Sequence, residues 1–415
     1  MIGTGVFTSL GFQLVDIKSV FALLLLWIIG GALAFCGAVS YSELSTALPR
    51  SGGEYHILSK TIHPSVGFSA GIVSVTIGFV APSVLAAMAL GSYFSSIIPS
   101  ISEFWIAFFV ITFLHVLHVH KLNWGLYFQN YTTLLKVILI LLFIFFGLTH
   151  QPVHNIQILP DHKDLSVIFS AQYAIALIWV SYAYTGWNSV IYISGELKHP
   201  EADISKTMFF STGLVTILYV LLNFVFLYTT PNELMVGQID IGYIAGQGIF
   251  GENGSKLVAI GISFLLLSTV SSYTYIGPRI IQIISEDHKV LSFLRSDKSE
   301  IIPNSSFIAQ LIISYVFLLT STFEQVLMYA GAALTITSSL TVLSLFVLRV
   351  RKPELNRPYM AWGYPITPMI YLFSNLWIMY HMFSESTFES ILGLSVVMFG
   401  IIFYYFLKNS SYHLE

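Results

Sequence analysis

The chain has 415 residues with 18 Lys or Arg and 21 Asp or Glu, so only 9% are charged, while 55% are hydrophobic and 15% aromatic. An average soluble chain is about a quarter charged; this composition and a mean hydropathy of +0.78 exclude a soluble globular protein, a disordered chain, which needs low hydrophobicity, and a membrane β-barrel, whose strands never form long apolar runs. What is left is an all-α polytopic membrane protein. A net charge of −3 without basic blocks offers nucleic acid no footprint, and the single cysteine, Cys36, excludes an intrachain disulfide or a Cys-rich zinc site. The first charged residue is Asp16, so no cationic flank of a signal peptide is expected.

Taken in chain order, residues 1–14 are apolar but too short to cross, and look like the second half of a spanning helix. Runs of about twenty apolar residues, the length that crosses ~30 Å of hydrocarbon, follow at 20–47, 66–98, 103–119, 125–148, 167–194, 207–229, 255–284, 305–321, 325–348, 365–383 and 388–407. That predicts eleven full spans after the first half. Fourteen Lys and Arg then fall in the loops of one side, and only Lys18, Lys163 and Lys256 in those of the other. The positive-inside rule places the first set, and the C-terminus, in the cytoplasm.

Two spans carry breaks. In hydrocarbon each backbone polar group must be paired, so a break is tolerated only where it lines a cavity or is buried in protein. The first is Ile2-Gly3-Thr4-Gly5-Val6-Phe7, and the second Tyr182-Ala183-Tyr184-Thr185-Gly186-Trp187-Asn188. A helix starting after Gly5 aims its unpaired N–H groups and positive dipole end at the break, which suits a carboxylate; carbonyls freed at the second break suit an ammonium group. Together they fit the two ends of an amino acid. Glycines that merely let helices pack closely are the alternative. The breaks fall in spans one and six, corresponding places of two five-helix halves, and paired interrupted helices point to a transporter site built on inverted repeats.

Lys136 lies 15 positions from Lys121 and 13 from Thr149, or roughly 20 Å from either surface at ~1.5 Å per residue. Its ammonium cannot snorkel that far, and a cation at such depth normally marks function. No Asp or Glu falls in the middle of a span, Glu43 being near the cytoplasmic end of span two, so neutral, apolar or small amino acids are favoured over cationic ones. Tyr273 and Tyr275 are candidates for the pocket wall or for interhelical packing. His115, His118 and His120 have a helical spacing compatible with a metal, but no His-Glu-x-x-His pattern accompanies them, and no metal or other cofactor is expected. Glu54, beside the basic inner loops, is read as a gate latch or as a solvated side chain.

These motifs together resemble an amino acid permease of the amino acid-polyamine-organocation superfamily, in the branch of the L-type and cationic amino acid transporters. Gly3-Thr4-Gly5-Val6-Phe7 resembles the family's Gly-Ser-Gly-Ile-Phe break, and Pro49-Arg50-Ser51-Gly52-Gly53-Glu54-Tyr55 its Pro-x-Ser-Gly-Gly-x-Tyr loop. Tyr182 to Asn188, with Gly195-Glu196-Leu197-Lys198-His199-Pro200-Glu201, is similar to the broken sixth helix and the loop after it. Gly277-Pro278-Arg279 resembles the inner end of helix eight, and Arg357-Pro358 with Tyr364-Pro365 the entry to helix eleven.

The resemblance implies one transporter domain with a 5+5 inverted-repeat fold: a first repeat over 1–148 lacking the inner half of helix one, a second over 167–348, and two additional C-terminal helices over 365–407. The missing half-helix leads to the expectation that Met1 is an internal methionine of a longer product; a truncated, non-transporting sensor or subunit is the competing reading. The implied substrate carboxylate site is the backbone of Thr4 and Gly5 with Gly3 keeping the approach open. The ammonium site is the carbonyls near Ile2, Tyr182 and Thr185, with Gly186 in the break and Asn188 bracing it. Tyr182 takes the family's aromatic gate position, and Arg279 with Glu54 completes the gate. Lys136 corresponds to a helix-five lysine that replaces sodium in related folds. It implies sodium independence, with proton coupling or a permanently charged strut as its two possible roles. The expected partners are an amino acid, the lipid bilayer and protons, in a cell (plasma or inner) membrane.

Overall fold

Helix forms wherever the sequence offers an unbroken apolar run, because an α-helix pairs its N–H and C=O groups within the segment. The computed structural model describes residues 1–120, 122–153, 158–197, 199–294 and 304–412. Twelve helices match the twelve predicted segments: α1 Gly5–Asp16, α2 Val20–Ala47, α3 Pro64–Ser95, α4 Glu103–His120, α5 Leu122–Thr149, α6 Ala171–Ala183, α7 Pro200–Thr229, α8 Ile241–Asp287, α9 Asn304–Thr320, α10 Phe323–Arg351, α11 Ile366–Glu385 and α12 Thr387–Tyr412. Local chemistry sets several ends. Ser19 caps α2 by accepting from the Ala22 N–H at 3.2 Å. Thr322 and Gln325 form a reciprocal capping box at α10.

Among the described residues seven helices are long and apolar enough to cross in one piece, and an eighth results if His162–Ile168 and Ala171–Ala183, bent by 67°, form one span. Of the other predicted spans, α4 and α9 are apolar but shorter, at the lower end of the ~17–25 residues that can cross, and α11 is not among those eight. Short helices at Gly53–Thr61, His162–Ile168 and Asn232–Met235 were not predicted. Within α8, Gly251 is non-helical (φ 70°, ψ −174°), so an outer helix joins the span predicted at 255–284. A π-helical turn, Ser74–Gly78, widens α3; such turns inside α-helices often stand at functional sites. Of the cations that set the expected orientation, Lys121, Lys198, Arg295 and Lys298 lie outside the described residues.

The short α1 lies in the centre. Val6, Leu10 and Leu14 are wholly buried, and Phe12 stacks on Trp179 of α6 with ring centroids 4.3 Å apart. By contrast α4, α5, α9 and α12 turn large apolar side chains outward, among them Phe109, Phe145, Ile312 and Phe399. An apolar surface of that extent requires a lipid solvent. The chain is a multi-pass membrane protein.

One buried charge pair fastens the α2, α10 and α11 region. Glu43, with no exposure, accepts from Arg349 Nε at 2.9 Å and Nη2 at 2.6 Å, and from the Ala361 N–H at 2.7 Å. Arg357 Nε approaches it at 3.3 Å, and the Arg349 guanidinium lies 3.8 Å from the Tyr364 ring centroid. Removing one partner of such a pair leaves a buried charge alone and typically costs about 3–5 kcal/mol. Glu43→Ala is therefore expected to lower the thermal unfolding midpoint of the purified protein markedly. Arg349→Lys, which keeps the charge but loses the two-pronged geometry, should have a smaller effect.

Candidate functional site

The helical backbone is interrupted at both places the glycines mark, and the two interruptions touch. Residues 1–4 are not helical and α1 starts at Gly5, with Thr4 at its N-cap making no side-chain cap. The Thr4 carbonyl accepts from the Phe7 N–H at 3.0 Å and from the Thr8 hydroxyl at 3.1 Å. The Thr4 hydroxyl is buried without a partner among the described residues. A Cβ on Gly5 would stand 2.4 Å from Ala183 Cα, so only glycine lets α1 close on the end of α6.

α6 stops at Ala183, and a tight turn follows. Thr185 donates to the Tyr182 carbonyl twice, from its N–H at 2.9 Å and its hydroxyl at 2.7 Å. Gly186 takes φ +91°, the left-handed region that favours glycine, and a 3₁₀ helix runs over Ser189–Glu196. The Tyr219 hydroxyl lies 2.9 Å from the Met1 carbonyl and 3.2 Å from the Ala183 carbonyl, bridging the two breaks. The Tyr182 carbonyl, expected to meet an ammonium, already accepts two hydrogen bonds within its own turn.

Lys136 is buried, and its Nζ donates to the Ile2 carbonyl at 3.2 Å and to the Thr269 hydroxyl at 2.9 Å. Gly3 is adjacent: a Cβ there would lie 3.3 Å from Thr269 Cγ2. Among the described residues no carboxylate pairs with this ammonium. It is a cation held by neutral oxygens of the segment before α1 and of α8.

A cavity of about 110 Å³ adjoins the α6 break, room for several waters and so for a small solute. Tyr182, Thr185, Gly186 and Asn188 are on its wall, with Phe79 after the π-turn of α3 and Tyr273 of α8. Ile2, Gly3, Thr4 and Gly5 are not among its lining residues, although the chain start adjoins the wall, a Cβ on Gly186 lying 3.2 Å from the Met1 nitrogen. Of the two tyrosines singled out in span eight, Tyr273 lines the cavity, whereas the Tyr275 hydroxyl accepts from Arg279.

Glu54 requires the largest correction. It is neither solvated nor latched to a cation: it is buried and lines this cavity. Tyr41 donates to its Oε1 at 2.6 Å and Asn188 at 3.3 Å. The backbone explains the placement. Gly52 and Gly53 both have positive φ, 125° and 58°, and turn the chain so that Glu54 enters the first turn of Gly53–Thr61 facing inward. Gly53 is doubly constrained, since a Cβ would lie 2.3 Å from the Tyr192 ring. An acid therefore does reach the cavity wall, and the absence of a counter-charge, which favoured neutral over cationic side chains, does not hold there. The double glycine before an acid was the signal in the sequence.

Arg279 sits over the Tyr275 ring, 4.3 Å from its centroid, and is not a hydrogen-bond partner of Glu54. A charged link does join the helix ends nearby: Arg50 meets Asp287 at 2.9 Å, and the Tyr55 hydroxyl donates to Asp287 at 2.8 Å. His115 Nδ1 lies 2.8 Å from the Ile111 carbonyl and His118 Nε2 2.9 Å from the Ser271 hydroxyl. Among the described residues no group of three potential ligands forms a metal site; the His120 side chain lies outside the description.

The comparisons with known proteins name the family. The amino acid permease family profile aligns with residues 1–407. The chain belongs to that family. The permease is 25% identical to the b(0,+)-type amino acid transporter 1 of Mus musculus, over 98% of this chain and 84% of the relative. It is also 25% identical to the serine/threonine exchanger SteT of Bacillus subtilis, over 99% and 94%, and to the human cystine/glutamate transporter, over 98% and 82%. The permease is an amino acid transport protein and not an enzyme.

The contact at Gly5 gives a test. In Gly5→Ala the new methyl meets backbone, which cannot yield as a side chain can, and overpacking of this kind costs about 1–3 kcal/mol or more. A Cβ at Gly213 in α7 meets nothing within 4 Å, so Gly213→Ala should be neutral or stabilising by up to ~1 kcal/mol. Thermal unfolding and amino acid uptake measured on both variants should separate them in that order.

Proposed function

We propose that this permease is a secondary active transporter that carries zwitterionic amino acids, neutral ones included, across a cell membrane by alternating access without sodium. The carboxylate binds the first N–H groups of α1 at Thr4 and Gly5, helped by the positive end of the helix dipole and by the Thr4 hydroxyl, which has no protein partner among the described residues. The ammonium binds carbonyls around Ile2 and Thr185, while the Tyr182 carbonyl has little capacity left. The side chain extends into the cavity beside Tyr182, whose ring closes over it, between Gly186 and Asn188.

Helix packing supports the two-halves architecture of 1–148 and 167–348. α1 packs on α6, α2 on α7 and α3 on α8, each helix against the one five places along. A pseudo-twofold between two repeats produces that pairing. The added helices over 365–407 pack outside it, α11 against α2 and α12 against α3 and α10. The cation asymmetry of the loops supports a C-terminus in the cytoplasm.

The observation that carries the reading is the Lys136 ammonium on the Ile2 carbonyl. A tethered cation at a helix break supplies the positive charge a sodium ion would otherwise bring. It also offers a coupling step. An ammonium has three donors and no acceptor, so releasing its proton weakens its hold on the Ile2 carbonyl and frees that oxygen for the substrate's ammonium. Uptake into proteoliposomes is expected to proceed equally in sodium and potassium buffers and to respond to an imposed pH gradient. Lys136→Ala should lower pH-driven uptake by more than ten-fold while the protein elutes as a folded species. Sodium-dependent uptake, or full pH-driven uptake by the variant, would overturn the role given to Lys136.

A further inference from the structure

We infer that Glu54 forms a subsite for the cationic side chain of a substrate, so that the permease accepts lysine- or arginine-like amino acids beside neutral ones. The inference rests on the transport reading above and adds a specificity-determining residue to it. Among the described residues lining the cavity, Glu54 is the one that carries a formal charge. Its hydrogen-bond partners Tyr41 and Asn188 are neutral, and among the described residues no Lys, Arg or His nitrogen pairs with it.

The contrast with Glu43 decides what this means. Glu43, equally buried, is saturated by two arginines and serves structure. A buried acid without a counter-charge is expensive to keep, and three other features explain why this one faces a ligand. It stands on the wall of a cavity next to the α6 break, where the zwitterionic head would bind. Its position is fixed by donors from α2 and from the break itself, so it is held ready rather than free to swing. The wall between is aromatic, with Tyr182, Trp187 and Tyr192, and Trp187 is braced edge-on against Tyr41 at 4.7 Å. Such a wall takes the methylene stem of a long side chain, and its ring faces attract a cation. A side-chain carboxylate, conversely, would meet Glu54 with like charge and no cation on the wall to offset it.

The test uses the full chain in proteoliposomes with radiolabelled leucine and unlabelled competitors. Wild-type protein should bind lysine at least as well as norleucine, the same side chain without its ammonium, although lysine has more hydration to lose. Glu54→Gln keeps the shape and can still accept from Tyr41 and Asn188; it should shift the lysine-to-norleucine inhibition ratio by at least ten-fold against lysine. Glu54→Asp, which keeps the charge, should retain part of the preference. Leucine uptake that lysine and arginine do not inhibit in wild type, or an unchanged ratio in Glu54→Gln, would overturn the subsite and leave transport standing. If Glu54→Gln fails to fold, the wild-type lysine and norleucine comparison decides alone. Absence of uptake for every amino acid would instead defeat the transport reading itself.

Discussion

A backbone inside hydrocarbon must pair its own polar groups, and this chain breaks that rule at two touching points. How each exposed group is satisfied determines the rest of the centre. Thr185 turns back on the Tyr182 carbonyl, the Tyr219 hydroxyl covers the carbonyls of Met1 and Ala183, and Lys136 reaches the carbonyl of Ile2. Glycine makes the contact possible, because at Gly5 any side chain would collide with Ala183. The Thr4 hydroxyl, at the N-terminal end of α1, is a buried polar group without a protein partner among the described residues.

Three buried ionisable side chains show how neighbours turn the same problem to different ends. Glu43 receives two guanidinium groups and a backbone N–H, which fasten α2 to α10 and to the segment before α11. Lys136 has oxygens without formal charge, from the segment before α1 and from α8. Glu54 has neutral donors and an open cavity. A saturated charge stays as it is, whereas an unsaturated one can change its partner or its proton during a cycle. Conformational cycling needs such groups, since a ligand shifts an equilibrium only by interacting differently with its two states.

Much of this was legible in the residues. The run 20–47 coincides with α2, and Gly3, Gly5 and Gly186 lie at the interruptions they suggested. The depth of Lys136 could be read from its distance to the helix ends, because rise per residue is constant. What could not be read depends on the path of the chain between helices. Glu54 looked like a loop residue beside Arg50; two successive positive φ angles at Gly52 and Gly53 send it inward, and hydropathy carries no trace of that. The outer helix that opens α8 was hidden by its glycines, five over 241–254.

The α6 break is common to both polar centres, and that gives the fold a way to link them. On one side Ala183 rests on Gly5 and shares Tyr219 with Met1, next to the Ile2 carbonyl that holds Lys136. On the other, Asn188 is bonded to Glu54, and through it to Tyr41 of α2. Four residues separate Ala183 from Asn188, and their turn is closed by its own hydrogen bonds at Tyr182 and Gly186. A segment this short and internally bonded moves as a unit more readily than it stretches. Loss of the Glu54 contact or of the Lys136 contact would therefore release the same piece of backbone from opposite ends, and a substrate spanning both places would hold it most firmly when its head and its side chain are both engaged.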